Sequence, residues 1–369
     1  MTLPPSRVLL RYFGVLLGLL IVGTITELTL GVRGHGRTSP VLEAWPFLDM
    51  WVRWDAGWYE QIALRGYTFS STEQSAAAFF PAYPLLMRGL IFISGVNVFI
   101  AGTIVTIICG ALAAVVFSKW ATLMRPNEAS LATWLLLSWP FAFYIFGAVY
   151  SDALFLLCIT SAFFHLERGR TGWATVFGIV ATATRPIAPA VVIGLTLRSL
   201  EKRRASGERL RAIDFLPVFA GLGLAGFMTF LWWKFGDPFA FATTQAGWGQ
   251  LGGPETWLKY GALSKFKPVD LTFPALHAAL AFLCVGLAWP MRKTLGWGYS
   301  AYVVVAIGIP IITSRDFIGL GRYALAVFPV FLQLAIALDS KVRQRAWFAF
   351  ASAILVLMTV RFAQAYYTS

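Results

Sequence analysis

The feature that most restricts this chain is a series of apolar stretches of bilayer length, recurring from end to end and each bounded by Arg/Lys, Pro or Gly. A helix needs about 20 apolar residues to cross the roughly 30 Å hydrocarbon core of a membrane. The stretches fall at 8–29, 96–118, 129–149, 152–166, 171–184, 187–199, 213–235, 271–290, 296–313, 322–338 and 347–366. They predict an all-α polytopic membrane protein with about eleven transmembrane helices. Composition excludes the soluble alternative: 58% of the 369 residues are hydrophobic and 13% charged, more apolar surface than a soluble fold could hide. No soluble appendage is expected, so residues 1–369 read as one transmembrane domain. Several stretches are shorter than about 20 residues, which puts the Tyr150-Ser151 and Arg185-Pro186 turns at or below the interface. Arg7 and Arg11 precede the first stretch as in a signal peptide, but no small-x-small cleavage site follows, and a retained helix is expected.

Charge sets the expected orientation. With the N-terminus in the cytoplasm, the inner segments carry 17 basic and six acidic residues, a net +11 that leaves +2 of the total +13 outside. This positive-inside pattern explains the basic character without nucleic acid, although Lys202–Arg211 also suits anionic lipid. Polar length is distributed the other way, with two long outer segments at 30–95 and 236–270. Long loops are where function concentrates. Within the first, 79–94 is too short to span and reads as an interfacial or re-entrant helix, with Arg88 reaching the headgroups.

Some patterns carry no chemistry. Gly221-Leu-Gly223-Leu-Ala-Gly226 matches G-x-G-x-x-G but lies in an apolar helix with no strand before it, so helix packing is the expected use. Gly14 and Gly18 likewise permit a close helix approach. Cys109, Cys158 and Cys284 each lie in an apolar run and read as buried thiols. His35, His165 and His277 are scattered, and no metal site or cofactor motif is found.

The informative segment is Arg53-Trp54-Asp55-Ala56-Gly57-Trp58-Tyr59, which sets a carboxylate among aromatic rings of the kind that stack on sugars. An interfacial aromatic belt with an Asp55–Arg53 ion pair is the plain alternative. Tyr150-Ser151-Asp152 begins a helix at the outer side, where Ser151 or Asp152 could simply cap it. Arg185, Arg315 and Arg322 fall at outer helix ends. If these helices pack together, acids and arginines meet in one outer cavity, and charges near bilayer depth are costly enough to mark function.

At these residues the sequence resembles the PIG-V family of mannosyltransferases, polytopic enzymes of the GT-C type. Trp54, Asp55, Gly57, Trp58, Tyr59, Gly66 and Tyr67 match its W-D-x-G-W-Y…G-Y block. Phe79-Phe80-Pro81-Ala82-Tyr83-Pro84-Leu85 and Tyr150-Ser151-Asp152-Ala153-Leu154-Phe155 follow in the family's order, with Asp152 where eukaryotic members carry Glu. Thr184-Arg185-Pro186, Phe235-Gly236-Asp237-Pro238 with Gln245 and Trp248, and Gly321-Arg322-Tyr323 complete the likeness over about 45–335. The short chain suggests a prokaryotic relative, in a cell membrane with its site on the extracytoplasmic side.

The resemblance implies transfer of a sugar, with mannose expected, from a polyprenyl-phosphate carrier to a hydroxyl of a glycolipid or other acceptor. Asp55 is the candidate base. Asp152, Trp54, Trp58 and Tyr59 would organise the acceptor side, and Arg185, Arg315 and Arg322 would hold the donor phosphate. Asp237, Gln245 and Trp248 would belong to a lid. A transporter or flippase should instead show ionisable groups at mid-bilayer and an internal repeat, and neither is visible. A non-catalytic subunit of a glycosylation complex stays open as a third reading.

Overall fold

The computed structural model describes residues 4–36, 42, 44–250, 252–259 and 272–368. Among them 74% are helical and none forms a strand, in agreement with the all-α expectation. The helices of nine or more residues are α1 Pro5–Leu30, α2 Ala56–Leu64, α3 Ala82–Ser94, α4 Val98–Met124, α5 Ala129–Leu137, α6 Asp152–Glu167 and α7 Thr171–Thr182. They continue with α8 Ala188–Ala205, α9 Leu222–Phe235, α10 Thr272–Thr294, α11 Trp297–Thr313, α12 Pro329–Ala337 and α13 Lys341–Ala363. A 3₁₀ segment, Ala212–Gly221, runs into α9.

Among the described residues five helical segments are long and apolar enough to cross a membrane, or six if the broken run from Leu320 to Ala337 counts as one. The eleven expected spans are not all matched by helices of that length, because several stretches make short or interrupted helices. The expected 129–149 helix shows why. Pro140 has no N–H to donate and crowds the carbonyl four residues back, and the residue before it avoids the α conformation. α5 therefore stops at Leu137, and 138–151 runs as irregular and 3₁₀ backbone, all of it buried. Non-helical backbone is tolerated at membrane depth only where protein satisfies its polar groups. Here Tyr12 donates to the Ile145 carbonyl at 2.7 Å, Thr106 to Ala148 at 2.9 Å, and the Val149 amide to Trp51 at 3.2 Å. Small residues let it approach: a Cβ on Gly110 would stand 2.0 Å from the Ile145 carbonyl oxygen.

The chain divides into two compact units. The first comprises the residues up to Leu64, Tyr83–Phe164 and Phe331–Thr368; the second comprises Arg65–Ala82 and His165–Val330. In the first, α4 is the central helix, with 67% of its most apolar window buried against 28% for α1. Asn97 caps it by accepting from the Phe99 amide at 2.9 Å. Near the start of α1, Arg11 donates to Ser130 Oγ at 3.2 Å, whereas Glu27, 16 residues and about 24 Å further on, pairs with Arg53. Basic residues expected on the inner side thus mark one end of this unit, and the aromatic loop the other.

In the second unit α7 lies against the segment leading into α9. Thr182 donates to the Ala220 carbonyl at 2.6 Å, and a Cβ on Gly223 would stand 2.0 Å from the Ile179 carbonyl oxygen. Within the G-x-G-x-x-G run, Gly223 is therefore the packing position. Gly14 and Gly18 differ, since nothing lies within 4 Å of a Cβ on either. Glu201 on α8 accepts from the first amides of α11, Trp297 at 2.5 Å and Gly298 at 3.1 Å, satisfying donors that a helix start leaves open.

Candidate active site

Asp55 stands at the mouth of α2 in the first unit, partly exposed, with Arg53 and Ala56 buried near it. The Asp55–Arg53 ion pair considered from sequence is not how Arg53 is used. Its guanidinium is fully buried and pairs with Glu27 and with Asp49, the latter at 3.0 Å. It also donates to the carbonyls of Ala363 and Val52 at 2.9 Å each. Neither Glu27 nor Asp49 was among the sequence candidates. An acid near the end of an apolar helix, as Glu27 is, was the available signal, because such a charge is kept only with a partner.

Tyr150 pins the loop. Its hydroxyl donates to the Arg53 carbonyl at 3.2 Å and accepts from the Asp55 amide at 3.1 Å. The residue between, Trp54, has φ of 52°, left-handed for a residue with a bulky side chain. Such a conformation persists only where its surroundings over-determine it. Tyr59 donates to Ser151 Oγ at 3.1 Å and meets the Tyr83 ring edge-on at 5.0 Å. The W-D and Y-S-D blocks, about 90 residues apart in sequence, are thereby joined. Asp152 lies in the first turn of α6 and is buried, where the helix N-terminus favours a carboxylate. Trp58 is partly exposed on α2.

The arginines belong to the second unit. Arg185 and Arg322 are buried, at 6% and 7% exposure, unlike headgroup-seeking side chains, whose charged ends stay at the surface. Arg185 lies over the Tyr323 ring at 5.7 Å, which brings the T-R-P and G-R-Y blocks together. Buried His277 on α10 accepts from the Gly321 amide at 3.0 Å and so fixes the turn carrying Arg322. Arg315 is mostly exposed and pairs with Asp316 at 3.4 Å.

The described part of the 236–270 segment is held to its own unit at several places; 251 and 260–270 lie outside the described residues. Thr244 bonds Ser75 Oγ at 2.7 Å, and the Arg315 amide donates to Gln250 at 2.6 Å. Asp237 accepts from the Phe239 amide at 2.8 Å and the Thr243 hydroxyl at 2.9 Å, a capping arrangement that occupies both carboxylate oxygens. Gln245 donates to Phe241 at 3.4 Å, and Trp248 meets the Phe79 ring edge-on. Lys259, outside the sequence candidates, is buried against the Ile311 and Ser314 carbonyls at the end of α11. Burial pushes its ammonium below the usual lysine value, an effect opposed by Asp316. Among the described residues no group of three or more His, Cys, Asp or Glu side chains is placed to hold a metal ion.

The membrane-length helices fit a multi-pass membrane protein. The family described as Mannosyltransferase (PIG-V) matches residues 8–200, just over half of the chain, and the chain belongs to it. The matched region contains Asp55, Asp152 and Arg185 and stops short of Arg315 and Arg322. No curated protein matches the chain.

Proposed function

We propose that the protein moves mannose from a polyprenyl-phosphate carrier to a hydroxyl of a glycolipid or related acceptor at the extracytoplasmic face of a cell membrane. In a single displacement the acceptor oxygen bonds to the anomeric carbon as the bond from that carbon to the phosphate oxygen breaks, inverting the centre. The acceptor proton passes to Asp55. The departing polyprenyl phosphate is already an anion and needs cations rather than a general acid; Arg185 and Arg322, with Arg315, fill that role through bidentate contacts. Asp152 orients the acceptor side, and Trp54, Trp58 and Tyr59 offer flat faces for sugar. A donor delivered by the bilayer also accounts for a glycosyltransferase whose 221–226 glycine run lies in an apolar helix with Gly223 used in packing.

The observation that carries this reading is the state of Asp55. It is partly exposed, while Arg53, Tyr150, Ala56 and Tyr59 around it, and the carboxylates Asp49 and Asp152, are buried. A rigid loop presenting one accessible carboxylate is what base catalysis requires. Purified protein incubated with polyprenyl-phosphate mannose and a panel of glycolipid and peptide acceptors should yield a mannosylated product of inverted configuration. Asp55→Asn should lower turnover by about 10²–10⁴-fold, the range of general-base contributions, with donor binding kept. Unchanged turnover in that variant would remove Asp55 from the chemistry.

A further inference from the structure

Beyond the family-matched region, the segment that follows α13 returns to the loop carrying Asp55. Ala365 turns the chain through the left-handed region at φ 62°, a conformation that a non-glycine residue keeps only under external restraint. The restraint is visible. The carbonyl of Gln364 accepts from the Arg33 and Gly34 amides at 3.1 and 2.8 Å, and that of Ala365 from the Gly36 amide at 3.1 Å. Thr368 Oγ1 and Tyr144 Oη are 3.1 Å apart, and Ala365 and Thr368 are buried.

The ties converge on the two residues before Asp55. The Arg53 guanidinium donates to the Ala363 carbonyl at 3.2 and 2.9 Å. Trp54 Nε1 donates to the Tyr366 carbonyl at 3.1 Å, and its indole meets the Tyr367 ring edge-on at 5.0 Å. The Trp54 amide donates at 2.7 Å to Gly36, whose glycine hydrogen is all the ring allows, since a Cβ there would stand 2.2 Å from the indole. Trp54 is the left-handed residue, so the direction in which Asp55 leaves the loop depends on its φ. Relaxation to an ordinary negative φ would turn that bond by about 110°.

We propose that residues 363–368 are a brace that holds Trp54 left-handed and thereby aims the Asp55 carboxylate, making them positioning residues for the transfer reaction. The inference rests on the reading of Asp55 as the base. It makes residues 363–368 part of the site although no reacting atom touches them.

Full-length Trp54→Phe, Tyr367→Ala, Tyr367→Phe and Asp55→Asn are compared in two measurements. One is steady-state transfer from polyprenyl-phosphate mannose to the glycolipid used by the wild type. The other is the hydrogen-exchange rate of the backbone amides of residues 363–368. Tyr367→Ala and Trp54→Phe should lose at least about tenfold in kcat with donor KM within about twofold, because a small misplacement of a reacting group is costly in turnover, and should exchange faster across 363–368. Tyr367→Phe keeps the ring and should restore both values. Wild-type kcat in Tyr367→Ala and Trp54→Phe beside an inactive Asp55→Asn would overturn the brace alone. A loss in Tyr367→Ala that appears equally in KM and that Tyr367→Phe fails to rescue would also overturn it, as general damage. Normal turnover in Asp55→Asn would instead overturn the base assignment beneath the proposal, and the brace's catalytic meaning with it.

Discussion

Substituting the three glycines of the 221–226 run one at a time separates packing from ligand binding. A Cβ on Gly223 would lie 2.0 Å from the Ile179 carbonyl oxygen, 2.4 Å from Thr182 Oγ1 and 2.6 Å from the Ala183 amide nitrogen. Contacts below 3.0 Å are essentially never seen for real Cβ atoms, and two of these partners are backbone, so α7 and α9 would have to part by about 1 Å. Overpacking of this kind costs about 1–3 kcal/mol, and relief would also strain the Thr182–Ala220 hydrogen bond. Gly221 would meet only Val192 at 3.5 Å, an ordinary contact, and nothing lies within 4 Å at Gly226. Gly223→Ala should therefore lower thermal stability in detergent clearly, whereas Gly221→Ala stays near wild type. Gly226→Ala should be neutral or gain up to about 1 kcal/mol from the better helix former. The assay is loss of monodisperse protein on heating, followed by tryptophan fluorescence on a sizing column. Gly223→Ala as stable as Gly226→Ala would refute the packing assignment, and equal loss of activity without loss of stability in all three would point to a ligand.

Tyr150→Phe removes the hydroxyl that joins the Arg53 carbonyl to the Asp55 amide; stability should fall by about 1–3 kcal/mol and kcat by roughly tenfold or more, read from melting curves and initial rates. Arg322→Lys keeps the charge but loses the planar fork, so donor affinity or turnover should fall at least about tenfold, equivalent to roughly 1.4 kcal/mol. Wild-type kinetics there would leave Arg185 and Arg315 to hold the phosphate. The charge asymmetry predicts Lys202–Arg211 in the cytoplasm and the first long loop outside. The three native cysteines are buried, so an impermeant thiol reagent on intact cells should label Thr72→Cys and spare Ser206→Cys; the reverse pattern would invert the orientation.

By itself, the sequence determined the solvent, the helical class and the residues of the W-D block. Apolar length, charge placement and a local motif are one-dimensional properties, and a bilayer forces any long apolar segment to satisfy its backbone within a helix. The family was legible for the same reason, since its blocks keep their order along the chain. What became of those residues was settled only by packing. Pro140 announces a break, but only contacts from Tyr12, Thr106 and Trp51 make 138–151 a buried irregular core rather than a surface loop. Arg53 looked like the natural partner of Asp55, two residues away, yet it bonds to Glu27 of α1 and to a carbonyl 310 residues further on. The left-handed Trp54, the Tyr150 bridge and the return of residues 363–368 likewise depend on long-range contacts that leave no local pattern. A hydrogen bond between distant residues is specified by the shape that brings them together, and that shape belongs to the packed chain as a whole.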